Sequence, residues 1–330
     1  MMGKQMAEKS THKNWRSWLN TLGPLLGLAA IYLLFAVIGP SSFATTRNLE
    51  TIARQTAIVG TAAIGMTLVI IAGGIDLSVG STVALSTVVI ALALQSWHLS
   101  PLLAGISGIA VGMLCGLVIG LLVTRLKVVP FIITLGMMLM GRGIAKGLAG
   151  EQKIDAPSNW LNELLATLRP DDRWMIVPPG VWIMAGLALS AWAMLRYTRL
   201  GRHIYAVGSN EQTARLCGVA TDRVKVLVYT LSSLVTGIAG VLQFSRLTVG
   251  DPTVAVGLEL DVIAAVVIGG GSLSGGEGSI TGSIIGALIM TTIRSGCSQM
   301  GLPNWVQEIV TGAIIVIAVT IDRLRHQKAR

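Results

Sequence analysis

The chain has 330 residues, 52% of them hydrophobic and 12% charged, and a mean hydropathy of +0.71. Soluble domains carry about 25% charged residues, so half that share set among long apolar runs excludes an ordinary globular protein and implies one that lives in a bilayer. The net charge of +9 does not argue for nucleic acid, because the cations flank the apolar runs and form no basic face interleaved with aromatics.

Residues 1–20 are polar and basic, with Lys4, Lys9, Lys13 and Arg16, and read as a cytoplasmic tail before a first apolar run at 21–40. A secretory signal has a similar layout, and Ser42, Phe43 and Ala44 stand where cleavage would fall. The run exceeds the ~7–15 residues of a signal core, however, so an uncleaved span is expected. Further runs fall at 56–73, 78–96, 101–123, 130–149, 178–195, 226–246, 258–271, 279–296 and 304–321. The fold expected is all-α, a polytopic membrane protein of about ten transmembrane helices, each near the ~20 residues that cross hydrocarbon. The eighth is short. An even number puts both termini on one side, and the cations choose it. Arg125, Lys127, the group from Arg196 to Lys225, and Arg323, Arg325, Lys328 and Arg330 would join the N-terminal tail there, so both termini are expected in the cytoplasm. The organisation expected is a single transmembrane domain over 21–322 with a cytoplasmic tail at 323–330.

Cys115, Cys217 and Cys297 are far apart and match no metal-ligand spacing, and the four histidines form no pair at helical spacing, so free thiols and no metal site are expected. No nucleophile and base stand at a telling spacing, and no enzymatic activity is expected of this chain.

One acid stands where two spans meet. The run through Ile71 reaches Gly73 and Gly74, then Asp76, Ser78 and Gly80, before apolar sequence resumes. A carboxylate between spans is costly unless paired or watered, which makes it a functional candidate. The structural alternative stays open beside it: the glycines stop one helix, and Asp76 or Ser78 caps the next through a side-chain oxygen. A weak echo links this stretch, residues 71–81, to residues 268–279, and transporters often contain repeated halves with interrupted helices. Gly112, Gly116 and Gly120, at four-residue spacing, would permit close helix packing.

The two long connections differ in charge. Residues 150–177 carry Glu151, Asp155, Glu163, Asp171 and Asp172 and are expected outside, as a solvated loop with a short helix over 160–168. Residues 196–225 are basic and expected inside. Within them Asn210, Glu211, Ala214 and Gly218 outline a short helix ending at Gly218, with Asn210 or Ser209 as cap and Glu211 at its positive end. Such a knob suits a partner's groove. Leu273 to Glu277 looks like the signature of nucleotide-binding ATPases, but no P-loop lysine motif accompanies it, so it reads as a turn.

Four blocks carry a resemblance: GMTLVIIAGGIDLSVGS at 65–81, VPFIITLGMMLMGRG at 129–143, LGRHIYAVGSNEQTARLCGV at 200–219 and GLELDVIAAVVIGGGSLSGGEGSITGSIIGAL at 257–288. In them the chain resembles the ribose/xylose/arabinose-type permeases of bacterial ABC importers, from about residue 20 onward. The resemblance implies a multi-pass subunit of the inner membrane, in contact with lipid and paired with a second copy or paralogue. It implies a periplasmic sugar-binding protein that delivers solute and a cytoplasmic ATP-binding cassette ATPase that binds ATP and Mg, with no cofactor in this chain. Asn210, Glu211, Ala214 and Gly218 would then be the loop that docks on the ATPase.

Transport by alternating access is the mechanism expected. Candidates for its pathway or gates are Gly74, Asp76, Ser78, Gly80, Arg142, Gln243, Arg246, Glu259 and Asp261, polar or small positions on otherwise apolar walls. Arg142, Gln243, Arg246, Glu259 and Asp261 each read more readily as an interfacial anchor or an internal ion pair than as a ligand contact, Arg246 pairing with Glu259 or Asp261. An ion-coupled secondary transporter using Asp76 is the rival reading, and a furanose-type signal or a branched-chain amino acid are rival solutes.

Overall fold

The computed structural model describes residues 23–168 and 174–327, with side chains described as far as residue 320. The tail expected at 1–20, Asp171 and Asp172, and the cationic side chains of the 323–330 tail lie outside the described residues. The helices are α1 (Gly23–Ile38), α2 (Thr46–Ile71), α3 (Val79–Gln95), α4 (Pro101–Leu126), α5 (Pro130–Leu148), α6 (Pro179–Tyr197), α7 (Arg199–Ser209), α8 (Glu211–Leu216), α9 (Thr221–Leu247), α10 (Leu258–Ile268), α11 (Ile280–Gln299) and α12 (Asn304–Gln327). Six of them, α2, α4, α5, α6, α9 and α11, are long and apolar enough to cross a membrane, while α1, α3 and the Asn304–Thr320 part of α12 are shorter apolar helices. The bounds follow local chemistry. Thr45, Ser100 and Ser279 cap α2, α4 and α11 through side-chain oxygens, and prolines open α4, α5 and α6, where a missing N–H costs nothing.

Packing depends on absent side chains. A Cβ at Gly112, Gly116 or Gly120 of α4 would run into Ser233 O, Tyr229 O or Val226 Cα of α9, and Gly237 of α9 answers against Ile109 Cα. The four-residue glycine spacing is therefore a seam along which two backbones touch. α2 and α11 are joined by hydroxyls instead: Thr56 and Thr291 share a hydrogen bond of 2.7 Å, and Thr67 donates to Ser283 at 2.7 Å. Inside a membrane each such bond stabilises by roughly 0.6–2 kcal/mol.

α2 and α9 are antiparallel, with Gly65 against Ser232 O near one end and Ala57 and Ile58 packed with Leu242 toward the other. Exchanging α2–α5 for α9–α12 carries every packed pair onto another packed pair: α2 with α11 onto α9 with α4, α2 with α10 onto α9 with α3, α3 with α4 onto α10 with α11, and α3 with α5 onto α10 with α12. The chain is thus built from two inverted halves. The sequence echo between 71–81 and 268–279 does not mark them. Those stretches touch each other, Gly276 N–H donating to Ile71 O at 2.9 Å, and the counterpart of 71–81 is instead the segment after α9.

One end of the bundle carries α7 and α8. The other carries β1 (Ile154–Asp155), paired antiparallel with β2 (Val249–Gly250), and a 3-10 turn over Trp160–Leu165. The 150–177 stretch is not simply a solvated loop, because Leu161 and Leu165 are buried. Leu165 N–H donates to Ser245 at 2.9 Å, and Arg54 donates to Leu165 O at 2.5 Å. Its helical turn is also shorter than expected, since these tertiary hydrogen bonds take up its backbone.

Candidate functional site

Two spans are interrupted, and the same turn interrupts both. α2 stops at Ile71, Gly73 adopts a left-handed φ of +80°, and Gly74 N–H folds back to Val69 O. Asp76 Oδ1 then accepts from Ser78 N–H at 2.8 Å and from the Ser78 hydroxyl at 2.6 Å, and α3 begins at Val79. At the other break α9 stops at Leu247 and Thr248 is left-handed at +60°. Asp251 Oδ1 accepts from Thr253 N–H at 2.8 Å and from the Thr253 hydroxyl at 2.6 Å, and α10 begins at Leu258. Asp76 therefore holds the start of α3 with its side-chain oxygen. Ser78 does not cap, because its hydroxyl is spent on Asp76.

The two helix starts meet. A Cβ at Gly80 would strike Ala255 O and Glu259 Oε2, so only glycine lets α3 and α10 approach this closely. Arg142 of α5 donates to Pro252 O at 2.9 Å and Val254 O at 2.6 Å, holding the second break in place. Gly80, Arg142 and Glu259 are thus brought to one locus, and Gly74, Asp76 and Ser78 to the adjoining turn. Asp76 is 1% exposed and, among the described residues, its Oδ2 has no hydrogen-bond partner. The Tyr229 hydroxyl of α9, also buried, fills the space beside Gly74 that a side chain there would take.

The remaining candidates stand apart. Gln243 is buried within α9, and Arg246 is exposed. Among the described residues Arg246 does not pair with Glu259 or Asp261: Asp261 faces Arg294 of α11, Nη2 to Oδ2 at 2.6 Å. The reason is the break itself, which turns residues 251–257 into the bundle and carries both acids away from the end of α9. Sequence reasoning passed over Arg294, Tyr229, Lys153 and Asp251. A repeated Asp-x-Ser/Thr before a helix was the available signal for Asp251, and a cation inside an apolar run for Arg294; Tyr229 had none.

The basic connection forms as expected. Asn210 caps α8, accepting from Thr213 N–H at 2.8 Å, Ala214 is buried, and Gly218 closes the turn at φ +84°. Ser209 is not the cap; it ends α7. Glu211 pairs with Lys225 at 2.6 Å and Arg215 at 3.5 Å, so it is fixed by cations rather than free at the tip. Leu216 is 89% exposed there, an apolar side chain presented on a polar knob.

This knob reaches the first break directly. A Cβ at Gly208 of α7 would overlap Ile71 O and lie 2.7 Å from Gly276 N, and one at Gly275 would lie 2.9 Å from Gly73 Cα. Tyr205 of α7 donates to Gly278 O at 2.8 Å, and burial pushes its phenol above the ordinary value, so it stays protonated as a donor. A cavity of about 510 Å³ opens beside this contact, lined by Gly74, Asn210, Glu211, Lys225, Tyr229 and Ser274 among others. Leu273 to Glu277 lies in this junction as a turn leading to α11, whose first turn is capped by Ser279. Among the described residues no three metal-ligating side chains cluster.

A polytopic helical bundle with two inverted halves and two interrupted spans has the build of a membrane permease. The chain belongs to the family described as "Branched-chain amino acid transport system / permease component", which matches residues 48–319. It is 39% identical over 314 residues to the ribose import permease protein of Escherichia coli strain K12, covering 94% of this chain and 96% of that one. Its identity to the ribose import permease protein of Bacillus subtilis strain 168 is 38% over 324 residues, covering 98% and 99%. With the L-arabinose ABC transporter permease protein of Azospirillum brasilense it shares 33% over 317 residues, covering 92% and 89%.

Proposed function

We propose that this chain is the permease subunit of an ABC importer for a monosaccharide, a ribose-like pentose or a related sugar. The observation that carries it is the near full-length similarity to relatives named for ribose and arabinose. The family's own description names branched-chain amino acids, but the sugar-named relatives favour a polyol as the solute. The subunit crosses the inner membrane ten times with both termini in the cytoplasm. Counting α1, α3 and the Asn304–Thr320 part of α12 beside the six long helices, with the 11-residue α10 and the chain leading into it as the tenth crossing, supports that number, and the cations of 196–225 support that orientation.

A separate ATPase binds ATP and Mg and docks on α8, where Asn210, Glu211, Ala214 and Gly218 shape the knob. A periplasmic binding protein delivers sugar to the β1–β2 end, and a second permease chain completes the channel. The contact of α7 with both glycine-rich breaks supports transmission from the ATPase to the spans, since a motion of α8 must move Gly208 against Ile71 and Gly276. Gly74, Asp76, Ser78, Gly80, Arg142 and Glu259 shape the interrupted spans, and Gln243, Arg246 and Asp261 lie further along the bundle.

The test is uptake in proteoliposomes with the ATPase and binding protein supplied. Uptake of ribose or arabinose should require ATP and the binding protein, and Glu211→Ala, which frees Lys225 and leaves Arg215 to Asp222 and Thr221, should lower uptake at least tenfold while ATP hydrolysis persists. Uptake driven by an ion gradient without either partner, and lost in Asp76→Asn, would make the protein a secondary transporter instead.

A further inference from the structure

The break after α9 leads inward. Gly250 packs against Thr87 and Val88 of α3, and five residues on Ala255 lies at Gly80. At 1.5 Å per helical residue that is about 12 Å of descent along α3, taken in a run of turns rather than a helix. One side of this segment is buried: Asp251 and Pro252 are covered, and Arg142 takes the carbonyls of Pro252 and Val254. The other side is open. Thr253 is exposed, Val256 is 73% exposed, and Leu260 continues the same open face into α10. Among the described residues the amides of Ala255 and Val256 donate to nothing.

Backbone of this kind is not tolerated against lipid. Unpaired peptide groups at membrane depth persist only where protein buries them or where they line water, because each costs several kcal/mol in hydrocarbon. Within this chain nothing covers the Val256 side, so lipid is excluded and the face meets water or a second permease chain. We infer that the open face of Thr253–Gly257 lines the outer, water-filled half of the translocation route, with Asp251 as the positioning residue that holds it there.

Asp251 is suited to that role because its oxygens are divided. Oδ1 makes the turn with Thr253, while Oδ2 meets Lys153 at 3.3 Å. Lys153 is 66% exposed and its partner 10%, and it directly precedes β1, whose partner strand β2 ends at Gly250 where the segment begins. A partner bound on the 150–165 surface therefore has a handle on the wall of the route. The inference rests on the importer reading for its outer and inner sense.

The experiment uses the full chain with Cys115, Cys217 and Cys297 replaced by serine and Val256→Cys introduced. A membrane-impermeant maleimide applied from the periplasmic side should label the introduced thiol within tenfold of a free thiol's rate and block uptake. Lys153→Met and Asp251→Asn should each change the labelling rate severalfold, and the double variant should match either single, because both remove one tie. Asp251→Asn keeps the turn oxygen, which separates the tie from folding. Labelling slower by a thousandfold, or spontaneous disulfide cross-links between copies through the introduced thiol, would place lipid or a second chain on this face and overturn the inference. Additive effects of the two substitutions would remove Asp251 from its positioning role. Labelling needs no partner chain, so rapid labelling with ATP-independent uptake would sink the importer reading and leave the watered face standing.

Discussion

The two interrupted spans share a turn and differ in what reaches it. At Asp76 the second carboxylate oxygen is sealed inside protein, and the neighbouring backbone is gripped by α7 through Gly208. At Asp251 the second oxygen is handed to a lysine at the surface, and the neighbouring backbone is tied to a two-stranded ladder. One break is worked through close backbone contact, the other through charge and hydrogen bonds. The difference teaches that an inverted repeat keeps the hinge and leaves each side of the membrane to supply its own handle.

The sharpest way to break the comparison is at the tight end. Gly208→Ala forces a methyl onto Ile71 O, and overpacking of this kind costs about 3 kcal/mol; unfolding in mixed micelles should show it, with coupling to the ATPase lost. Gly218→Ala, in open space at φ +84°, should cost only about 1 kcal/mol of backbone strain. Equal stabilities for the two would mean that α7 does not grip the break.

Charge in the half-helices gives the next effect. Arg294→Ala strands a buried carboxylate at Asp261 and should cost up to about 3 kcal/mol, discounted because Arg294 is partly exposed, whereas Arg246→Ala should stay within about 0.5 kcal/mol. A larger loss at Arg246, read in the same unfolding assay, would restore it as the partner.

The smallest effect sharpens the comparison most. Asp76→Ala leaves the Ser78 amide and hydroxyl without their acceptor in a buried site and should cost about 1–3 kcal/mol, while Asp76→Asn, which keeps Oδ1, should cost less. The same pair of substitutions at Asp251 should differ by less, because water reaches Thr253. Matching costs at both sites would mean that both turns are equally sealed.

Much of this was legible from the residues. The glycine stops, the proline and serine starts, the Asn210 cap and the glycine seam of α4 are local signals, and each acts where the sequence places it. The pairing of Arg246 with Asp261 failed for a reason of the same kind in reverse. Nearness along the chain is a poor guide once a run of turns carries the chain into the bundle, and Arg294, 33 positions beyond Asp261, arrives there because α11 packs antiparallel to α10. The echo of 268–279 failed because glycine-rich stretches resemble one another for want of side chains, while the true counterpart of 71–81 shares only an aspartate, a hydroxyl two residues on, and a helix after them.

By itself the sequence determined the apolar runs, the short capped helix at 211–216 and the family, because those depend on composition and short-range hydrogen bonds. Only the tertiary structure decided that the two halves are inverted, that Gly80 meets Glu259, and that Gly208 sits on Ile71 and Gly276. Those contacts join residues from distant spans at positions where a single Cβ would forbid them, and no local pattern records which backbone will fill the space a glycine leaves.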